Sequence, residues 1–411
     1  MTIWTTAGPS LDQQSFAGSS DWKLAPLLRG TTEFKPLDNV RNIMVTGGAG
    51  FIGSWVARHL VLTYPESYYI VVFDKLDYCS SINNIRMLEA MPNFKFVHGD
   101  VTSADDVMRC LHAHKIDVVI HFAAQSHVDL SFRNSYSFIR DNIYGTNVLL
   151  ESVRQSGIRR FIHVSTDEVY GEVPDDGEDL PEDSILAPTN PYSASKAAAE
   201  MMILAYSKSF RLPAIVVRLN NVYGPHQFPE KVIPKFISLL QRGQKLTVYG
   251  DGTNSRRYLW AGDAADAFDT ILHKGSVGQI YNVGSKSEIT NLELCEKVLS
   301  MFGITNTKNW IDFTEDRPFN DHRYATSGSK LQGLGWKQQT SFEDGLLKTI
   351  QWYRDFPDWW GDINQVLTAF HGTAKTSVGH AKHTGALAGH AGQQPDMARE
   401  HTPNGIEMIA Q

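Results

Sequence analysis

From residue 42 to about residue 223, short apolar runs alternate with amphipathic stretches. Apart from Asn42, Lys95, His121 and His163, the runs at 42–45, 69–73, 94–97, 118–122, 161–164 and 214–217 are apolar on successive positions. That is the pattern of strands buried on both faces of a sheet. Helical segments lie between the runs, at 54–62 and notably at 142–156 and 191–208. Strand and helix in alternation predict an α/β fold, a doubly wound parallel sheet covered by helices on both sides. Beyond Gly224 the alternation weakens, and Pro225, Pro229 and Pro234 punctuate the chain. A smaller mixed α/β domain is expected there. Two later runs, at 258–260 and 280–283, are candidates for short strands that return to the first domain. The expected organisation is an extension over 1–38 and a first domain over 39–223 with a return segment near 257–283. A second domain is expected from 224–256 and 284–368.

The two ends lack this pattern. Residues 1–38 show no sustained period, although Trp4, Phe16 and Trp22 leave room for docking onto the body. The tail 371–411 is rich in Gly, Ala, His, Thr and Gln, cannot bury enough surface to offset its ordering entropy, and is expected to be disordered. Its histidines (His371, His380, His383, His390 and His401) are irregularly spaced, which favours a solvated tail over a metal site. A net charge of −7 with no basic stripe argues against a nucleic-acid partner. The three cysteines, Cys79, Cys110 and Cys295, have no metal-ligand spacing and cannot form a framework of paired disulfides. Free thiols in a reducing, cytoplasmic compartment are the simplest expectation. No apolar run approaches the roughly 18–20 residues that span a bilayer, and no basic-then-apolar leader opens the chain.

The first candidate for chemistry is Thr46-Gly47-Gly48-Ala49-Gly50-Phe51-Ile52-Gly53, where the first strand turns into the first helix. Gly47 permits the tight turn, Gly50 lets a pyrophosphate approach the backbone, and Gly53 lets helix pack closely on strand. The helix N-terminus then favours the negative charge. Asp74 ends the second strand about twenty residues on, as a Rossmann-type dinucleotide fingerprint demands. Its carboxylate accepts hydrogen bonds from a ribose and repels a 2′-phosphate, so NAD is expected over NADP, with Lys75 the one opposing charge nearby. The loop continues through Leu76 and Asp77. Asp100 and Val101 follow the third strand, where a carboxylate can hold an adenine amino group. Phe122, Ala123, Ala124 and Ser126 follow the fourth. The two alanines are small either for packing or to admit a ligand at the carboxyl end of the sheet.

The second candidate is Ser165-Thr166-Asp167-Glu168-Val169-Tyr170-Gly171 after the fifth strand, followed by Tyr192-Ser-Ala-Ser-Lys196. A phenol with a pKa of about 10 is a poor base at neutral pH. Lys196 lies one helical turn from Tyr192 on the same face, and its positive charge, with that of a bound nicotinium, makes a tyrosinate accessible. Thr166 can hydrogen-bond the same substrate oxygen. Two neighbouring carboxyl groups at such a strand end would have their pKa values pushed apart, one left as acid and one as base. Hydride transfer beside proton removal and loss of water is the chemistry this set suggests.

At these residues the chain resembles the extended short-chain dehydrogenase/reductases that act on nucleotide sugars, and more narrowly the sugar-nucleotide 4,6-dehydratases. The matching stretches run from about Asn42 to Trp360 and include Ala123-Ala-Gln-Ser-His-Val-Asp129, Asn221-Val-Tyr-Gly-Pro225 and Phe228-Pro-Glu-Lys-Val-Ile-Pro234. The family's 4-epimerases and decarboxylases share the glycine loop and Tyr/Lys pair but lack the full Asp-Glu pair after Thr. The resemblance implies that Tyr192 takes the sugar O4 proton as the C4 hydride moves to NAD. Glu168 then removes the C5 proton as base, Asp167 protonates the departing 6-hydroxyl as acid, and the hydride returns to C6. NAD is regenerated each turnover and is expected to stay tightly bound.

The segment Asp316-Arg317-Pro318-Phe319-Asn320-Asp321 resembles the UDP-glucose 4,6-dehydratases of rhamnose pathways, as do Lys75-Leu-Asp-Tyr-Cys79 and Asp358-Trp-Trp-Gly361. UDP-glucose is the expected substrate, with dTDP-glucose the alternative. Carry-over places Ser126 and Thr166 on the sugar and Asn221, Lys231 and Arg256 on the diphosphate. Asn291, Asp316, Arg317 and Asn320 would surround the nucleotide. The resemblance also implies a homodimer through a helix bundle built from 142–156 and 191–208. With no second glycine fingerprint in the sequence, a separate epimerase/reductase is expected to finish rhamnose synthesis. A 4-epimerase or decarboxylase, and a silent NAD-binding module with a protein partner, are the competing readings. The silent module has no need of Asp167, Glu168, Tyr192 and Lys196 together.

Overall fold

The computed structural model of the chain describes residues 23–368. Its strands are, in chain order, β1 (Asn42–Thr46), β2 (Tyr69–Asp74), β3 (Phe94–His98), β4 (Val118–His121), β5 (Arg160–Thr166) and β6 (Ala214–Leu219). They continue with β7 (Asn221–Tyr223), β8 (Leu246–Tyr249), β9 (Ser255–Trp260), β10 (Ile280–Val283), β11 (Glu288–Thr290) and β12 (Ile311–Thr314). One seven-stranded sheet runs in the order β3-β2-β1-β4-β5-β6-β10, and every pairing in it is parallel. Its first six strands follow the doubly wound order, which places a ligand crevice where β1 meets β4. Successive residues of β1 go to opposite sides: Ile43 and Val45 enter one buried cluster, Met44 the other. Burial on both faces is why the inner strands are mostly apolar, whereas the edge strand β3 exposes Lys95 and His98.

Of the two anticipated returns, β10 joins the main sheet, with Ile280 opposite Val216 of β6, and the 258–260 run pairs with residues 221–223 at the end of the first domain's span. The 258–260 run lies in β9, which pairs parallel with β7 and antiparallel with β11 in a separate three-stranded sheet. Its arginines supply the reason. Arg257 pairs with Glu288 (3.3 Å) of β11 and with Asp179 (2.6 Å) of the loop before Leu180, partners that an apolar main sheet does not offer. A third pair, β8 with β12, is also parallel.

The helices Phe51–Thr63 and Pro191–Phe210 match expectation to within a turn. The third departs from it, because Ile139–Tyr144 is a wider π-helical turn before the α-helix Gly145–Ser156 begins. That turn contains Asp141 and Asn142, both buried and both aimed at loops of the site. The helix Ala261–Lys274 packs against Phe51–Thr63, and its Phe268 meets Phe122 with ring centroids 4.7 Å apart.

Part of the expected extension is tied to the body. Thr31 and Thr32 donate backbone N–H groups to Asp266 Oδ1 at 2.6 and 2.9 Å, and the Thr32 hydroxyl donates to Asp269 Oδ2 at 2.7 Å. Phe34 and Leu37 donate to the hydroxyls of Tyr64 and Tyr68. Asp269 is in turn flanked by His59 (3.2 Å) and His273 (3.0 Å), whose bonds hold its carboxyl down at about 2 against the opposing effect of burial. Trp4, Phe16, Trp22 and the tail 371–411 lie outside the described residues. Among those described, no helix is long and apolar enough to cross a membrane.

Candidate active site

The carboxyl ends of β1, β2, β4, β5 and β6 open into one cavity of about 430 Å³, which continues between the main sheet and β8, β9 and the helix Val232–Gln241. At its floor the loop after β1 has no room for side chains. Gly47 has φ +67°, and a Cβ there would sit 2.6 Å from the Ala123 nitrogen. At Gly53 a Cβ would meet the Gly47 carbonyl at 2.4 Å. Gly50 caps the helix Phe51–Thr63 without any side-chain hydrogen bond, so the first-turn N–H groups, including those of Phe51 and Ile52, carry the helix's positive end toward the cavity. This is a cradle for a pyrophosphate.

Asp74 fixes the loop and faces the cavity. Its Oδ2 accepts from Ala49 N–H at 3.0 Å and its Oδ1 from Leu76 N–H at 2.7 Å. Leu76 takes φ +57° and lies outside the cavity wall. Lys75 is occupied. Its Nζ sits 2.7 Å from Asp141 and 3.1 Å from Asp77, and Gln125 donates to both carboxylates at 2.8 Å. The cation that would welcome a 2′-phosphate is thus neutralised twice, which fits NAD better than NADP. Val101, Phe122, Ala123, Ala124 and Ser126 line the same half. Asp100 does not: its Oδ1 takes the Thr102 N–H (2.8 Å) and hydroxyl (2.9 Å).

Where β5 ends, Thr166 caps a short helical turn, accepting from Glu168 N–H at 3.3 Å. Asp167 is buried behind it rather than on the cavity wall. Asn220 donates to its Oδ2 at 2.6 Å, and the Thr166 hydroxyl to its Oδ1 at 3.3 Å. Burial, reinforced by the charge of Glu168, pushes the Asp167 carboxyl up to about 7. Burial also raises Glu168, opposed by the Arg256 charge and by Asn190, whose amide donates to it at 3.2 Å. The same Asn190 caps the helix Pro191–Phe210, accepting from Ser193 N–H at 2.9 Å, so one residue positions both Glu168 and the turn that bears Tyr192. Burial and the Glu168 charge raise the Tyr192 phenol, against a hydrogen bond with Thr166. Burial lowers Lys196 to about 8. Thr166, Glu168, Tyr192 and Lys196 all line the cavity.

The far half is cationic. Arg256 bonds Asn320 Oδ1 at 3.2 Å and lies over the Tyr324 ring at 4.6 Å. Lys231 donates to the Ser126 carbonyl at 2.6 Å, and Arg317 pairs with Asp129 at 2.6 Å. These residues line the cavity together with Asn221 and Asn291. Asp316 does not; its Oδ1 accepts from the Arg317 N–H and from Asn320, shaping the loop.

Sequence reasoning passed over several residues that hold this arrangement. Asn220 sits beside the anticipated Asn221 but serves Asp167. Asn142 brackets Gln125 on both sides, accepting at 2.7 Å and donating at 3.0 Å. Only Asn190 carried a visible signal, as an Asn-Pro helix start.

A doubly wound sheet with this glycine loop, and a Tyr/Lys pair at its carboxyl ends, is the architecture of an extended short-chain dehydrogenase/reductase. The family model described as GDP-mannose 4,6 dehydratase matches residues 44–349, and the chain belongs to that family. A trifunctional UDP-glucose 4,6-dehydratase/UDP-4-keto-6-deoxy-D-glucose 3,5-epimerase/UDP-4-keto-L-rhamnose-reductase of Arabidopsis thaliana is 53% identical over 329 residues, 80% of this chain and 49% of that protein. The chain thus spans about half the length of the Arabidopsis relatives it matches. A dTDP-D-glucose 4,6-dehydratase of Mus musculus is 45% identical over 334 residues, 80% of this chain and 93% of that one. Among solved structures, the Streptomyces venezuelae dTDP-glucose 4,6-dehydratase with NAD and TYD bound superposes with a TM-score of 0.74 at 39% identity, covering 78% of this chain and 99% of that one. The Thermus thermophilus UDP-glucose 4-epimerase in complex with NAD gives 0.70 at 31% identity, over 76% and 99%.

Proposed function

We propose that this chain is an NAD-dependent nucleotide-sugar 4,6-dehydratase, a hydro-lyase that converts UDP-glucose to UDP-4-keto-6-deoxyglucose. The observation that carries the reading is the Asp167–Glu168 pair beside Tyr192 and Lys196. An epimerase needs no second acid and base, and here two carboxyls are held separately by Asn220 and Asn190. The NAD named in solved relatives supports the cofactor, and the glycine cradle and Asp74 have the shape and chemistry to hold it.

NAD supplies the place where the C4 hydride is lodged until it is returned to C6. The protein does the rest. Thr166 and Tyr192 hold the sugar O4, and Tyr192 takes its proton. Lys196, charged below about pH 8, lowers the cost of the tyrosinate. The resulting 4-ketone acidifies C5; Glu168 removes that proton and gives a proton back to C5 when C6 receives the hydride. Asp167 keeps its proton up to about pH 7 and delivers it to the leaving 6-hydroxyl, with the Thr166 hydroxyl linking it to the cavity. Lys231, Arg256 and Asn221 hold the diphosphate, with Asn291, Arg317 and Asn320 around the nucleotide and Asp316 shaping their loop.

UDP-glucose is preferred because the relatives at 53% identity carry that name; dTDP-glucose is the second reading, favoured by a relative matched over 93% of its length. Incubation with each nucleotide sugar, followed by mass spectrometry, tests both. Loss of one water from UDP-glucose is expected. A product of unchanged mass, or none, defeats the dehydratase reading; exclusive turnover of dTDP-glucose defeats the UDP preference.

The same proposal includes the division into a cofactor domain (39–223, with β10) and a substrate domain (224–256 and 284–368), a cytoplasmic setting with three free thiols, and epimerase/reductase steps downstream. It also includes a homodimer. Exposed Tyr136, Ile139 and Tyr144 on the 135–156 segment, with Met201 and Phe210 on the helix Pro191–Phe210, offer the apolar face a helix bundle needs.

A further inference from the structure

The motif Asp358-Trp359-Trp360-Gly361 lies far from the reacting groups, yet Trp359 is tied to the phosphate loop. Its indole Nε1–H donates to Asn84 Oδ1 at 2.8 Å, across 275 residues of chain. Asn84, fully buried, passes the contact on by donating its Nδ2–H to the Ala49 carbonyl at 2.9 Å. Ala49 is the middle residue of the glycine loop, and its own N–H is held by Asp74 at 3.0 Å. The Ala49 carbonyl also receives Ser81 N–H at 3.1 Å, and the Asn84 carbonyl receives Arg58 from the helix that the loop opens. One residue further on, Trp360 packs edge-on to Phe228 (5.1 Å), which packs edge-on to Tyr78 (5.7 Å); Phe228 borders the cavity, as do Cys79 and Ser80.

We infer that Trp359 is a positioning residue for cofactor retention: through Asn84 it braces the phosphate loop, so that the C-terminal segment helps keep the dinucleotide in place through a reaction in which it is consumed and restored without leaving. The inference rests on the NAD reading above. The glycine loop needs such a brace because its glycines resist none of the backbone motion that would loosen a pyrophosphate. A fully buried amide fixed at both ends supplies the stiffness.

The test compares two substitutions of similar size in one aromatic cluster. Trp359→Phe removes the indole N–H and keeps a ring. Trp352→Phe does the same to a neighbour 5.1 Å away, whose indole nitrogen meets no acceptor among the described residues. Each full-length protein is purified, its bound NAD counted, and the rate of NAD loss followed by exchange against labelled NAD, with thermal unfolding in parallel. Trp359→Phe is expected to release NAD about five- to tenfold faster, as loss of one buried hydrogen bond implies, while Trp352→Phe releases it at the wild-type rate. Asn84→Ala should match Trp359→Phe, and the double variant should be no worse than either. Equal rates for Trp359→Phe and wild type, or equal acceleration in both tryptophan variants, overturns the inference. If the wild-type chain itself binds no NAD, the cofactor reading has failed instead.

Discussion

The cavity's two halves are built by different means. On the cofactor side, each contact is made by a loop that directly follows a strand of the main sheet: Gly47 to Gly53 after β1, Asp74 to Asp77 after β2, Phe122 to Ser126 after β4. On the substrate side, Asn221, Lys231, Arg256, Asn291 and Arg317 come from separate short elements and meet only through packing. The first half is placed by strand register, and its glycine loop is held at Ala49 by Asp74 and Asn84. The second is a set of individually weak anchors, so its losses should be graded where those of the first are abrupt.

The centre between the halves should be the most sensitive. Tyr192→Phe and Glu168→Gln are each expected to lower kcat on UDP-glucose about a thousandfold, with bound NAD unchanged, because each removes proton transfer rather than binding. Gly47→Ala comes next. A Cβ at 2.6 Å from a backbone nitrogen, on a left-handed residue, costs about 1–3 kcal/mol, read as a roughly ten- to hundredfold loss of NAD affinity. Arg317→Ala should raise KM about tenfold and spare kcat, since it contributes uniform binding. If it emptied the cofactor site instead, the contrast between the halves would be wrong.

The smallest effect is one of pH. Turnover needs Asp167 protonated, so kcat should fall as pH rises through about 7. The folded-state value lies above the unfolded one of 3.8, so the stability gained from a neutral Asp167 is complete at acid pH and lost as pH passes about 7. Asp167→Asn should therefore melt at a higher temperature than wild type at pH 8, with the gap shrinking toward pH 5. An unchanged gap would mean that Asp167 is already ionised in the folded protein.

The same contrast explains what the sequence reveals. Apolar runs and glycine spacing are local, so the sheet, the loop and the Tyr192/Lys196 face can be read directly. Which sheet the β9 run joins cannot be read from its apolarity; it pairs with β7 and β11, and the partners of Arg257, Asp179 and Glu288, are distant in sequence. Asn220 and Asn142 are invisible for the same reason. An asparagine that props a carboxylate or a loop looks like any other until the chain folds. Asp100 and Asp316 show the converse: acidic residues at promising positions whose oxygens are already used to shape their own turns.

The clasp between Thr31, Thr32 and the helix Ala261–Lys274 carries a consequence for the order of events on the ribosome. Its two sides are about 235 residues apart, so the leading segment must wait, unpaired, until more than half of the chain has emerged. By then β1 to β6 can already have assembled. The clasp is a closing step, and a nascent chain halted before Asp266 should remain open to protease near Thr31 even where its central sheet has become resistant.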